Sequence, residues 1–421
     1  MNNLSRLPTS NPGLILQISS TSRVGLRSGF AQLVSSTLRA GGIFRSRGAG
    51  AALLLGGVAA LTLATPARAQ HHYLQTNLVS DVPGLAAVTD PNLVNAWGLS
   101  RSATSPWWVA DNGTGLSTLY TGAGAKLGLV VTVPPQAGST DSSAPTGTVF
   151  NGSADFQVGP NQPARFLFAT EDGTISGWNP TANPTVAITK VDRSGWAIYK
   201  GLALGQIAGA NYLYAANFHA GKVEVFDKNF APVDLGATAF WDSHLPKGYA
   251  PFNVQAIGDK IYVTYAKQDA AKIDEIAGRG RGFVTAFTTS GVLSMRLKSG
   301  PWFNAPWGVA LAPANFGQFS NLLLVGQFGS GKIAAFDPAN GKFRGLVRRA
   351  GHHSLKIDGL WALAFGNDAG SGPSTTLYFS AGINDEAHGL FGTITPLIDP
   401  PHVDQDKDDD EDDEGEAGHH D

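Results

Sequence analysis

The sequence predicts an all-β fold, a six-bladed β-propeller spanning residues 70–398. Six times a glycine is followed, five positions later, by an aromatic or large aliphatic residue that closes a strand-like run. The runs are Gly115–Tyr120, Gly173–Trp178, Gly221–Phe226, Gly282–Phe287, Gly331–Phe336 and Gly389–Ile394, and the glycines are 58, 48, 61, 49 and 58 residues apart. Strands and turns reiterated on this scale are the mark of a propeller. A second register supports the first: Ala96-Trp97-Gly98-Leu99, Pro306-Trp307-Gly308-Val309 and Leu360-Trp361-Ala362-Leu363 occupy equivalent places. The third observation is the near absence of helical periodicity, since only Ala270–Ala277 (AAKIDEIA) reads as a helix, inserted in the fourth unit.

Each unit resolves into strands in order. Pro251-Phe252-Asn253-Val254 and Tyr199-Lys200-Gly201-Leu202 are looser versions of the Trp-Gly motif. These motifs open runs of small and apolar residues without alternation, as suits an inner strand buried on both faces near the axis. A second strand follows in every unit: Trp107–Ala110, Phe166–Ala169, Tyr212–Ala215, Ile261–Thr264, Leu322–Val325 and Leu377–Ser380. These runs are mostly aromatic or β-branched and are bounded by turn residues. The glycine-led run is the third strand. Asp227, Asn179-Pro180 and Asp337-Pro338-Ala339-Asn340-Gly341 then supply turns, because Asp and Asn bond their own backbone. After Ile394 only a proline-rich exit remains, so the last blade lacks an outer strand. An open ring would leave edges unpaired, and Tyr73–Val79 alternates suitably to complete it. The periodic Trp97, Trp307 and Trp361 read as core wedges between blades. Trp196 and Trp241, outside the register, are better placed for a surface contact.

Charge divides the chain into three zones. Residues 1–69 carry seven Arg and no Lys, Asp or Glu; residues 399–421 carry twelve acids and one Lys; with a total of −3, the balance for 70–398 is −3 − 7 + 11 = +1. A neutral core without a basic stripe argues against nucleic acid, where phosphate neutralisation dominates affinity. Arg45 and Arg47 precede the uncharged run 51–65, and Ala67-Arg68-Ala69 offers small residues at −3 and −1 of a cleavage site. Residues 1–69 are therefore expected to be leader and signal peptide. The run is short for a span of about 20 residues, so no membrane span is expected after cleavage. The mature protein would be periplasmic or extracellular and monomeric. The chain has no cysteine, which removes thiolate nucleophiles and disulfides and leaves stability to core burial. The like-charge block 403–421 is expected to be a solvated tail.

Pro306–Leu311, Leu322–Val325 and Gly331–Asp337 resemble an NHL-type propeller repeat. More broadly, residues 72–396 resemble an uncharacterised family of exported bacterial six-bladed propellers, marked by Asn95-Ala96-Trp97-Gly98-Leu99 and the run Asp358–Asn367. That resemblance implies export and a propeller, with no established reaction. A more distant resemblance is to six-bladed propellers of the gluconolactonase and senescence-marker kind, which hold a divalent ion in the axial channel through Asn, Asp and Glu at inner-strand starts.

The corresponding positions here are Asn95, Lys200, Asn253, Asn304 and Asp358. Oxygen ligands converging on an axis would suit Ca²⁺, though Lys200 opposes a cation and strand capping accounts for the same residues. The turns after the second strands carry Asp111-Asn112, Glu171-Asp172, Asn217 with His219, and Asn384-Asp385-Glu386 with His388. Glu386 and His388 could perform acid–base chemistry if both faced a cleft; ordinary turn chemistry is the alternative. No nucleophile elbow, P-loop, His-Glu-x-x-His helix or dinucleotide fingerprint is present. Two functions are open at this point. One is a binding scaffold for a protein, glycan or small ligand, with no cofactor. The other is a metal-dependent lactonase- or esterase-like hydrolase with a channel Ca²⁺ near Asn95, Asn253 and Asp358.

Overall fold

A computed structural model describes residues 71–398; the expected signal peptide and acidic tail lie outside the described residues. Five four-stranded antiparallel blades, and a sixth whose four antiparallel strands carry a short parallel fifth, Val88–Thr89, form a six-bladed β-propeller. From inner to outer strand, blade 1 is Ala96–Ser100, Trp107–Asp111, Leu116–Tyr120 and Lys126–Thr132; blade 2 is Pro145–Phe150, Phe166–Thr170, Thr174–Trp178 and Ile188–Asp192. Blade 3 is Tyr199–Ile207, Ala210–Asn217, Lys222–Phe226 and Pro232–Val233; blade 4 is Tyr249–Ile257, Lys260–Lys267, Phe283–Thr288 and Leu293–Arg296. Blade 5 is Pro306–Leu311, Leu323–Gln327, Ile333–Phe336 and Phe343–Leu346. Blade 6 takes Leu360–Phe365, Leu377–Ile383 and His388–Ile398 from the end of the chain and its outer strand, His71–Ser80, from the beginning. The closing strand pairs antiparallel with its neighbour from His71↔Ile398 to Ser80↔Leu390. Among the described residues no helix is long and apolar enough to cross a membrane.

The buried apolar side chains form one cluster between each pair of neighbouring blades and one more on the axis. The axial cluster corrects the wedge reading of the tryptophans. Trp97 of blade 1 stacks on Trp361 of blade 6 with ring centroids 3.7 Å apart, and Trp307 of blade 5 lies 5.9 Å from Trp361. Phe252 of blade 4 also lies 5.7 Å from Trp361 and Trp307 6.4 Å from Trp97, and rings of non-adjacent blades can meet this way only at the centre. The cause is a register shift in each inner strand's pairing, between Ala96 and Leu99, Tyr199 and Leu202, Pro251 and Asn253, Pro306 and Val309, and Leu360 and Leu363. A bulge re-aims the side chain it carries, and here it turns Trp97, Lys200, Phe252, Trp307 and Trp361 inward. The glycine after the bulged residue lets inner strands touch. A Cβ on Gly98 would lie 2.3 Å from the Thr146 carbonyl oxygen, and one on Gly147 2.3 Å from the Leu202 nitrogen. In blade 4 Asn253 stands in this position and its amide donates to the Trp307 carbonyl at 2.9 Å.

The predicted helix Ala270–Ala277 does not form. Residues 269–278 are an irregular excursion in which Lys272 has a φ of 60°, Asp269 N–H donates to the Asp274 carbonyl at 2.8 Å, and Gln268 bridges to Glu275. A left-handed residue in its middle stops helix propagation.

Candidate functional site

Antiparallel strands reverse at every turn, so inner-strand starts and the turns after the second strands share one face. Lys200 is the residue of that face that breaks the repeat. It holds the position that is tryptophan in blades 1, 5 and 6, and it is 1% exposed. An ammonium there must be paired. Its Nζ donates to Glu171 Oε1 at 2.5 Å and to Asp274 Oδ1 at 3.1 Å, and it lies 5.4 Å from the Trp97 ring and 5.8 Å from Phe218. Burial works to lower its pKa, but the charges of Glu171, Glu275 and Asp274 win and hold it above the ordinary lysine value.

From Glu171 a hydrogen-bonded chain crosses the mouth. Asn112 donates to Glu171 Oε2 at 3.0 Å; Asn95 donates to Asn112 at 3.1 Å and to Glu386 Oε2 at 2.6 Å; Trp361 Nε1 donates to Asn95 Oδ1 at 2.9 Å. Glu386, Asn95, Asn112, Glu171, Lys200 and Asp274 thus link blades 6, 1, 2, 3 and 4. Burial pushes the Glu386 carboxyl up, opposed by the Asn95 hydrogen bond and reinforced by the Glu171 charge. Burial likewise pushes Glu275 up to about 7, outweighing the pull of Lys200.

The backbone under Glu386 is strained. Asn384, Asp385 and Glu386 have φ of 56°, 50° and 64° in succession, and Asp358 Oδ2 accepts the Asn384 N–H at 2.7 Å. A left-handed non-glycine residue costs about 1–2 kcal/mol, and such strain concentrates at functional sites. Below the mouth, the buried Trp97 Nε1–H has no acceptor among the described residues.

The structure brings together Asn95, Lys200 and Glu386 of the sequence candidates. Asp358 is exposed and positions the Glu386 turn. Asn253 is a strand-to-strand link. The Asn304 carboxamide oxygen accepts the Gly278 N–H and its own N–H donates to Gln327, which pins the base of the blade 4 excursion. His219 faces the Lys272 carbonyl at 3.3 Å. The Glu386/His388 pair does not form, because His388 turns to Asp81 at 2.7 Å while Glu386 turns to Asn95. Trp196 is 76% exposed on the connection entering blade 3 at this face; Trp241 is 60% exposed but follows Phe240, whose N–H donates to the Gly291 carbonyl at 2.8 Å in the turn between the third and fourth strands of blade 4, away from the mouth. Sequence reasoning missed Asp274 and Glu275 as site residues; Asn112 and Glu171 were named among the polar turns of this face, with ordinary turn chemistry as the alternative. The readable signal for Asp274, Glu275 and Glu171 was a lysine in a tryptophan position, which requires carboxylates nearby.

The oxygens of Glu171 and Asp274 converge on an ammonium, and among the described residues no group of three or more His, Asp or Glu side chains could hold a metal ion.

No protein-family model matches the chain. Uncharacterized protein R648 of Acanthamoeba polyphaga mimivirus is 32% identical over 345 residues, covering 78% of this chain and 82% of the relative. This chain belongs to the R648 family. Uncharacterized protein L690 of the same virus is 31% identical over 344 residues, covering 78% of this chain and 87% of the relative. These R648-family relatives are viral and uncharacterised, and they bear on neither a bacterial source nor export. A structural genomics protein of unknown function from Bacteroides thetaiotaomicron superposes with a TM-score of 0.50 at 11% identity, covering 78% of this chain and 77% of that one. That likeness supports the fold alone.

Proposed function

We propose that this propeller is a binding scaffold whose mouth takes a positively charged group, an amine of a small molecule or a basic side chain of a partner. One observation carries the reading: four carboxylates, Glu171, Asp274, Glu275 and Glu386, surround a single lysine, and Asp274 is 68% exposed at its side chain. A cation added at Asp274 and Glu386 meets surplus negative charge over a low-dielectric aromatic floor, where an ion pair gains more than in bulk water. The exposed Trp196 extends the contact surface, since aromatic residues anchor interfaces.

The test is a thermal-shift and calorimetric screen of polyamines, arginine and quaternary amines against neutral sugars and carboxylates. Cationic compounds are expected to raise Tm, and Glu386→Gln with Asp274→Asn to weaken their binding about tenfold or more. Shifts by sugars or acids alone would overturn the reading. We place the protein outside the cytoplasm on the basic leader, apolar run and Ala67-Arg68-Ala69; N-terminal sequencing of the expressed protein tests this, with Gln70 expected first.

A hydrolytic reading rests on Glu275, because a carboxyl near 7 is matched to proton transfer at neutral pH. A lactone and ester panel with Glu275→Gln tests it. The same variant tests the electrostatics. A carboxyl raised in the folded state stabilises the fold below its unfolded value, and that contribution is lost as pH rises through the folded one. Wild-type stability should therefore fall from pH 4.5 to 7 on account of Glu275, whose ordinary value is 4.5. Glu275→Gln should flatten that slope and exceed wild type above pH 7, as read from urea midpoints at each pH.

A further inference from the structure

We infer that the chain carries its own ligand for a second site, a basic groove on the outside of blade 6 that takes the acidic run 404–416. The groove has a volume of about 1160 Å³ and runs between the closing strand His71–Ser80 and the connection entering blade 6. Lys332, Arg349, His353 and Lys356 line it, and no Asp or Glu does. None of these four side chains has a carboxylate partner among the described residues, although ion pairs elsewhere engage Arg296, Arg344 and Lys126. Cations gathered without counter-charge repel one another, and a polyanion relieves that repulsion.

The floor of the groove is a sheet edge. The closing strand is partnered on its outer side only at Val79 and Ser80, by the short strand Val88–Thr89, so its edge from Leu74 to Asn77 has no neighbouring strand among the described residues. Such an edge invites a covering segment. Continuity names which one. Ile398 pairs with His71, Leu397 lines the groove, and the acids begin in earnest at Asp404. Six residues from Ile398, which is level with His71, span about 20 Å when extended, enough to bring Asp404 alongside the open edge from Leu74 to Thr76. Residues 399–421 sum to −11 against three full positive charges in the groove. The occupant fits by charge and by tether, which raises its effective concentration to the millimolar range.

The absence of cysteine in the chain allows a direct test by disulfide trapping in the full-length protein. Ser354→Cys with Asp410→Cys places one thiol in the groove and one in the acidic run. Asn229→Cys with Asp410→Cys puts the first thiol on blade 3, across the ring. At low salt the first pair should form an intrachain disulfide at least about tenfold faster than the second. That advantage should vanish at 0.5 M salt, where the screening length drops to about 4 Å, and in a K332E/R349E/K356E background. Lys332→Gln with Arg349→Gln and Lys356→Gln should lose most of it while leaving Tm unchanged, which separates docking from misfolding. Equal rates for the two pairs, an advantage that survives charge reversal, or disulfides formed only between molecules would each overturn the inference.

Discussion

Replacing Lys200 by methionine is expected to cost about 3 kcal/mol at pH 8, the low end of what removal of one member of a buried ion pair costs. The low end applies because the partners are not equally buried: the Lys200 side chain is 2% exposed, Glu171 25% and Asp274 68%, so water screens part of the charge left behind. Methionine itself suits the position, where Trp97 and Phe218 already flank the lysine stem. The loss is therefore electrostatic, and its pH dependence has a definite sign. Without the ammonium, whose charge now lowers them, the carboxyls of Glu275 and Glu386 take up protons more readily in the fold. Groups raised in the folded state destabilise as pH rises through their folded values. The deficit of Lys200→Met should shrink towards zero by pH 5 and grow to its full size by pH 8. Guanidinium unfolding at the two pH values measures it. A deficit equal at both would mean that packing, not charge, holds this position, and the proposed site would lose its organising residue.

The propeller was legible because its signals repeat. A turn glycine such as Gly173, with φ of 82°, and the apolar second strand after each inner strand recur in a fixed order, so each unit corroborates the next. The inner strand that escaped notice, Pro145–Phe150 in blade 2, has Thr146 where blades 1, 4, 5 and 6 have Trp or Phe. The site was legible only in part, for a physical reason. Its bonds join residues separated by 29, 74 and 291 positions, and ring geometry, not spacing along the chain, brings them together. Lys200 was legible as a charged residue in a looser copy of the Trp-Gly motif, and Glu386 as an acid–base candidate in a polar turn. Asp274 and Glu275 were not, because alternating charged and apolar residues read locally as a helix, and the preference was overridden by the pairing of Asp274 with Lys200 and of Gln268 with Glu275. The tryptophans were recognised as structural but assigned to the wrong interface, since a bulge is invisible to a period-two reading.

The second large effect concerns ring closure. Tyr73→Ala should cost about 3–5 kcal/mol, the range for emptying a buried aromatic site. Tyr73 is 1% exposed, its ring lies 5.1 Å from Phe316 and 5.7 Å from Phe319, and its hydroxyl donates to the Phe316 carbonyl at 2.9 Å while accepting the Phe319 N–H at 3.2 Å. Those contacts tie the strand that completes blade 6 to blade 5, so one residue near the start of the fold joins two blades from its end. Tyr73→Phe keeps the ring and strands only the two backbone groups, an expected loss of about 1–3 kcal/mol. The larger substitution should also change what the protein does when it loosens. If the closing strand peels away, the edge of His388–Ile398 is exposed, and an unpaired edge of eleven residues templates association. Tyr73→Ala should then aggregate below its own Tm, with hydrogen exchange accelerating first at 390–397 and only later in blades 2 to 4. Uniform acceleration around the ring would instead mean that the six blades unfold as one unit, with closure supplying stability to all of them equally.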